Sequence, residues 1–350
     1  TPQAVLEAVP QAVLEAEPGS RAEEWHQHAN GGGWIYREAR VAPTAFVDKD
    51  AVVAGRAEVL DSARVIGHAR IGGQARVAGH AEVFGRAVVE ERAEVRDNAR
   101  IGGEARVAGS ACVSERAVIE GRAVIEGTAR VGGNARIAGK ARVTDHARVG
   151  DNARVAGRAA VYGHAMVYGD ARVGGRAWIG QDAEVFGHAV VEGAAVITDY
   201  ARVFGRARVT GHARIAVSAF VAGHARVAGF AEVSGDVWVA GHAEVLDAAW
   251  VGGNASVLDS AQVFGCAKVH GNAVICGNAR VCGAAEVLES AKVCEDAVIA
   301  GKAEVCGRAR VFGRALIYGD AWVAGDSRIG GTDRLCRRPL WAEPPSGGRA

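Results

Sequence analysis

The eleven histidines and seven cysteines are the side chains on which catalysis or metal binding would have to rest. Eight of the histidines, His68, His80, His146, His164, His188, His212, His224 and His242, are separated by multiples of six residues. The same series of positions also holds Asn134, Arg158 and Asp170. A series that accepts any polar residue reads as a solvated surface position. Within it, His146 and His164 are eighteen residues apart, as are His224 and His242. A pair supplies too few ligands for a zinc centre, and no carboxylate or cysteine is placed by spacing to complete one. The later cysteines, Cys266, Cys276, Cys282, Cys294 and Cys306, contain one pair at the same separation, Cys276 and Cys294. They read as small apolar filler, with at most that one disulfide. No Gly-x-Gly-x-x-Gly lies between a strand and a long helix, so the 48 glycines do not form a nucleotide loop. These residues therefore predict no catalytic residue, no metal, no cofactor and no small-molecule substrate.

Two further series run at eighteen residues. Arg136, Arg154 and Arg172 form a candidate anion-binding ladder within a basic stretch that also holds Arg130, Lys140, Arg142, Arg148 and Arg158. The formal net charge of the whole chain is +1, which gives no global signal for nucleic acid or an anionic membrane surface. The second series reads Tyr168, Phe186, Phe204, Ala222, Ala240, Leu258, Cys276, Cys294, Phe312, and every member is apolar. Phe220 and Trp238 stand beside it at the same spacing. Such a column is either a contact surface for a partner or a ladder that packs on itself.

These spacings come from one repeat. From Ala39 to Ala321 every sixth residue is Ala except Val237, and from Ile35 to Ile329 every sixth is Val or Ile. The position between repeats, from Gly55 to Gly331, is mostly Gly, with Asp as the common substitute, as at Asp61, Asp97 and Asp145. Ala and Val two apart face the same side of a strand, and the residue between them, usually charged, faces the other. Ala and Val are thus predicted inside, and residues such as Arg64, Arg70, Arg76 and Glu82 outside. Gly or Asp then suits a corner that needs positive φ. A six-residue period does not hold one face of an α-helix, and Gly at every sixth position would cost a helix ~1 kcal/mol each. So short a strand cannot bury itself and must stack on copies of itself.

The unit resembles that of the hexapeptide-repeat proteins, in which an aliphatic residue is followed four positions later by a small one, as Val77 by Ala81 and Val83 by Ala87. The resemblance covers residues 33–332, fifty hexads without insertion or deletion. It implies an all-β fold: a single-stranded, left-handed parallel β-helix (β-solenoid) of about 17 triangular turns, 18 residues per turn, ~80 Å long at ~4.8 Å per strand. The hand follows from the resemblance, since parallel crossovers are ordinarily right-handed. The family also contains acyltransferases, which add a projecting loop, a catalytic His and a trimer cleft. No loop interrupts this frame.

Residues 1–32 read as an extension of short helical pieces or disordered chain. Pro-Gln-Ala-Val-Leu-Glu-Ala occurs there twice, and Pro10 breaks any longer helix. Residues 333–350 read as a cap and tail. Trp34 and Trp341 are candidate end contacts, as lids over the raw strand edges or as joints to a neighbouring rod. No run of apolar residues is long enough to cross a bilayer, and the N-terminus lacks the plan of a secretory signal. The reading is a cytoplasmic structural rod that associates laterally or end to end into homo-oligomers or fibres, with an exported fibre as the other location. The alternatives are a trimeric acyltransferase-like enzyme and a polyanion or surface binder using the stacked arginines.

Overall fold

The computed structural model describes residues 9–336, so Trp341 lies outside the described residues. The chain forms two compact units, Thr1–Asp182 and Ala183–Ala350. Each is an all-β parallel solenoid with eighteen residues per turn.

In the first unit a short helix α1 (Gln11–Leu14) and a 3-10 turn (Ala22–Glu24) lead into β1 (Trp25–Gln27). β1 pairs antiparallel with β2 (Trp34–Tyr36), the first strand of the solenoid. Val13, Trp25, Trp34, Tyr36, Val52 and Ala54 bury one another. Gly31, at φ +113°, permits the tight return. A Cβ there would lie 2.3 Å from the Val47 carbonyl oxygen.

From β2 to Ala160–Val161 each strand of this unit pairs in parallel with the strand eighteen residues later. Arg64 and Val65 face Glu82 and Val83, which face Arg100 and Ile101. The Arg64 N–H donates to the Ala81 carbonyl at 2.9 Å, and the Ile66 N–H to that of Val83 at 2.8 Å. The inward residues are buried from Ala45 to Val323, whereas inward Val41 and Ile329 at the ends are half-buried and outward Val52 is buried in the N-terminal cluster. Ala63, Val65, Ala81 and Val83 are 0% exposed, and among the described residues no polar or charged residue is buried. The outward residues form three faces: face I carries Trp34 and every eighteenth residue after it, face II Arg40 and its series, and face III Phe46 and its series. Charges alternate along the early ladders, with Arg40–Glu58 at 3.2 Å, Arg64–Glu82 at 3.1 Å and Arg100–Glu82 at 3.0 Å.

The corner residue between repeats takes positive φ whatever its type: Gly79 at +71°, Asp61 at +56°, Glu91 at +62°. A Cβ at Gly79 would lie 2.9 Å from the Asp97 carbonyl oxygen. Acidic residues offset this strain with a bond of their own. The Asp61 carboxylate accepts the Gly79 N–H at 2.9 Å, and that of Glu91 accepts the Gly109 N–H at 2.9 Å.

The second unit repeats this plan with one local departure. Three successive face I strands lengthen into the corner, Arg214–Ala216, Glu232–Gly235 and Trp250–Gly253. Here Val217, a β-branched residue, sits at φ +64°, and Gly235 below it opens to +117°. The departure lies beside Val237, where the core series substitutes the larger Val for Ala. At the C-terminal end Arg334–Leu335 pairs with Leu316–Ile317. The solenoid therefore continues past Thr332, to Leu335.

Candidate functional site

Exposed large apolar side chains concentrate in the second unit. Phe230 is 70% exposed, Tyr200 66%, Trp238 47% and Val217 45%. Phe230 stands on the corner before face I, stacked on His212 at 4.9 Å; the other three stand on or beside face II, where every inward residue beneath them is already buried. Phe220 and Trp238 are face II neighbours in register and stack at 4.9 Å with an 18° tilt. The Arg202 guanidinium covers the other side of Phe220, 5.9 Å from the ring centroid, and pairs with Glu184 at 3.4 Å. Tyr200 and Val217 flank these rings on the corner that precedes face II. Their backbones are linked by the Tyr200 N–H bond to the Val217 carbonyl, and the Asp199 carboxylate accepts the Val217 N–H at 3.0 Å.

The column predicted at eighteen residues lies on the corner after face II. Phe186 and Phe204 stack at 5.0 Å and 2° and are half-buried, so this part packs on itself. Ala222 is buried, and Ala240 and Leu258 are half-buried. Cys276 and Cys294 are joined by a disulfide across Cα atoms 4.6 Å apart, which is the pair marked by spacing. Phe312 is 38% exposed and lies over Gly330. Tyr168 belongs to the first unit, where it closes one end of a groove of about 880 Å³ that also contains Arg130, Arg148, Gly132 and Gly150. Tyr200 and Val217 are not marked by the apolar column. Tyr200 occupies the mainly polar series that holds the eight spaced histidines, and Val217 the glycine position. The signal available was the type of residue at a slot, not the period.

Trp34 is 7% exposed inside the N-terminal cluster, so its ring covers the first turn of its own chain and is not presented to a neighbour. Arg136, Arg154 and Arg172 are face III neighbours in register, and all are exposed. Beside them a cavity of about 470 Å³ is lined by Asn134, Asn152 and Asp170.

The histidine pairs stack as their spacing implies, His146 on His164 at 4.7 Å and His224 on His242 at 4.8 Å. Among the described residues no group of three or more His, Cys, Asp or Glu is placed to hold a metal ion. Burial pushes the Cys282 and Cys306 thiols up from the ordinary cysteine range, which disfavours their thiolates.

This geometry defines a β-solenoid repeat protein. Residues 159–175 match the family model described as the YdcK beta solenoid repeat. Among solved structures the chain is similar to the UDP-N-acetylglucosamine O-acyltransferase LpxA from Moraxella catarrhalis RH4. That similarity has 18% identity, covers 54% of this chain and 71% of that one, and has a TM-score of 0.20. No curated protein matches the sequence.

Proposed function

We propose that the chain is a scaffold protein that binds further copies of itself through face II of its second unit. The observation that carries this reading is the group of exposed apolar side chains Tyr200, Val217 and Trp238 over a core that is complete without them. An apolar patch of this kind on a folded surface marks a contact. The charged groups closest to the rings are engaged, Arg202 by Glu184 and the Phe220 ring, and the Asp199 carboxylate by the Val217 N–H. A charged partner gains little there. A second copy presents the same flat, stacked rings, and two such faces meet about a two-fold axis. Full burial of one aromatic side chain contributes ~1.5–3 kcal/mol before the cost of association. Leu258 and Phe312, on the adjoining corner, would extend the contact beyond the central rings.

The test is sedimentation velocity on the wild type and on the double variant Tyr200→Ser, Trp238→Ser, with a thermal melt of each. The wild type associates at micromolar concentration; the variant sediments as a single chain and melts within a few degrees of the wild type. An unchanged sedimentation coefficient in an associating sample would remove this face from the account.

A further inference from the structure

Three consecutive turns of the first unit carry the same seven-residue pattern. Residues 134–140 read NARIAGK, 152–158 NARVAGR and 170–176 DARVGGR. Because the copies are eighteen residues apart, like residues stack on successive turns. The result is three columns on and around face III. Asn134, Asn152 and Asp170 form the first, linked by the Asn134 amide donating to the Asn152 carbonyl at 3.1 Å and the Asn152 amide to the Asp170 carboxylate at 3.2 Å. Arg136, Arg154 and Arg172 form the second, and Lys140, Arg158 and Arg176 the third. All six cations are exposed, and among the described residues no carboxylate pairs with any of them.

The fold does not require this arrangement. Earlier in the same unit, cations in these columns are matched: Arg100 by Glu82 at 3.0 Å and Arg122 by Glu104 at 2.6 Å. Residues 127–176 instead contain nine Arg or Lys, three Asp and no Glu. The carboxylates of Asp145 and Asp151 accept the backbone N–H groups of Gly163 and Gly169. Like charges directly opposite one another on adjacent strands are destabilising. An array of six is a standing cost that a bound counter-anion would remove.

We propose that this array binds a linear acidic polysaccharide carrying one carboxylate on each sugar. The cations repeat in straight columns at the ~4.8 Å spacing of stacked strands, close to the length of one sugar in an extended chain. Guanidinium groups grip carboxylates through two parallel hydrogen bonds. The neighbouring Asn and Asp column supplies amides and a carboxylate that bond sugar hydroxyls. An acceptor such as Asp170 has no use on a DNA phosphodiester backbone and would repel it. Single-stranded nucleic acid is further disfavoured because no aromatic side chain stands in the three columns for bases to stack on. A second copy of the chain does not fit either. The acids of the second unit form no array of three: on face I Glu286 neighbours Glu304 but is held by Lys268 at 3.3 Å, while Glu232 stands apart, Glu244 lies on face III and Asp259 at a corner.

The experiment is a binding titration of the full chain with labelled polygalacturonate at ~0.15 M ionic strength. Neutral dextran and single-stranded DNA of equal charge serve as comparisons. Polygalacturonate binds, dextran does not, and DNA binds more weakly. The triple variant Arg136→Gln, Arg154→Gln, Arg172→Gln binds polygalacturonate at least about tenfold more weakly with a shallower salt dependence. The independent set Lys140→Gln, Arg158→Gln, Arg176→Gln does the same, so a folding defect in one set does not decide the matter. Asn134→Ala with Asn152→Ala weakens polygalacturonate and leaves DNA unchanged. Absence of polygalacturonate binding, equal or tighter binding of DNA, or unchanged affinity in both cation variants would each overturn the proposal.

Discussion

Positive φ at the corner admits acidic residues because their carboxylates reach the next turn's backbone N–H, as Asp145 does to Gly163 at 3.0 Å. Val217 has no such group and stays at φ +64°. A left-handed conformation costs a non-glycine residue ~1–2 kcal/mol, of which glycine's extra freedom in the unfolded chain returns ~0.4–1. Val217→Gly should therefore raise stability by up to ~1.6 kcal/mol in a denaturant titration; a loss of ~1 kcal/mol would show that the side chain is held by packing instead. The core has the opposite sensitivity. Val203 is 0% exposed, whereas its neighbour Arg202 points outward. Val203→Asp buries an unpaired charge and should cost several kcal/mol, while Arg202→Asp should cost ~1 kcal/mol from the lost Glu184 pair and ring contact. Equal tolerance of the two would contradict the inside and outside assignment. That assignment was legible in the sequence because alternation at Ala and Val has one physical meaning on a strand. The strained Val217 was not, since nothing in its type announces a left-handed backbone.

At the scale of elements, stacking fixes which ladders exist. Phe186 and Phe204 lie parallel at 5.0 Å and are half-buried. A double-mutant cycle with Phe186→Ala and Phe204→Ala should report a coupling of ~0.5–1.5 kcal/mol beyond the two single losses. Zero coupling would mean that the two rings contribute independently and form no ladder. The strands and corners could be read from the period alone, and the eighteen-residue register from the resemblance to the hexapeptide-repeat proteins. The antiparallel cap could not, because β1 and the cluster of Val13, Trp25 and Tyr36 lie before the period begins. Nor could the lengthened strands from Arg214 to Gly253, where a corner opens beside Val237 without any change in spacing. Ion pairing also departs from the simple ladder. Arg106 meets Glu90, sixteen residues away, and Glu126 at 3.6 Å, because corner residues lean over the faces.

For the whole molecule, the repeat specifies the fold and leaves the surface free to vary. The chain divides its surface by chemistry, with the stacked cations of face III and its corner in residues 136–176 and exposed aromatic side chains mainly after residue 199. The N-terminal edge is covered by the chain's own Trp25 and Trp34, which favours contact through a face over contact through that end. Association driven by apolar area should persist at high salt, whereas polyanion binding should fade. The most direct measurement is electron microscopy of the purified protein at micromolar concentration in high salt. The account predicts side-by-side pairs or bundles that disperse into single particles in the Tyr200→Ser, Trp238→Ser variant. Single particles from the wild type, or discrete trimers that survive the double substitution, would contradict it.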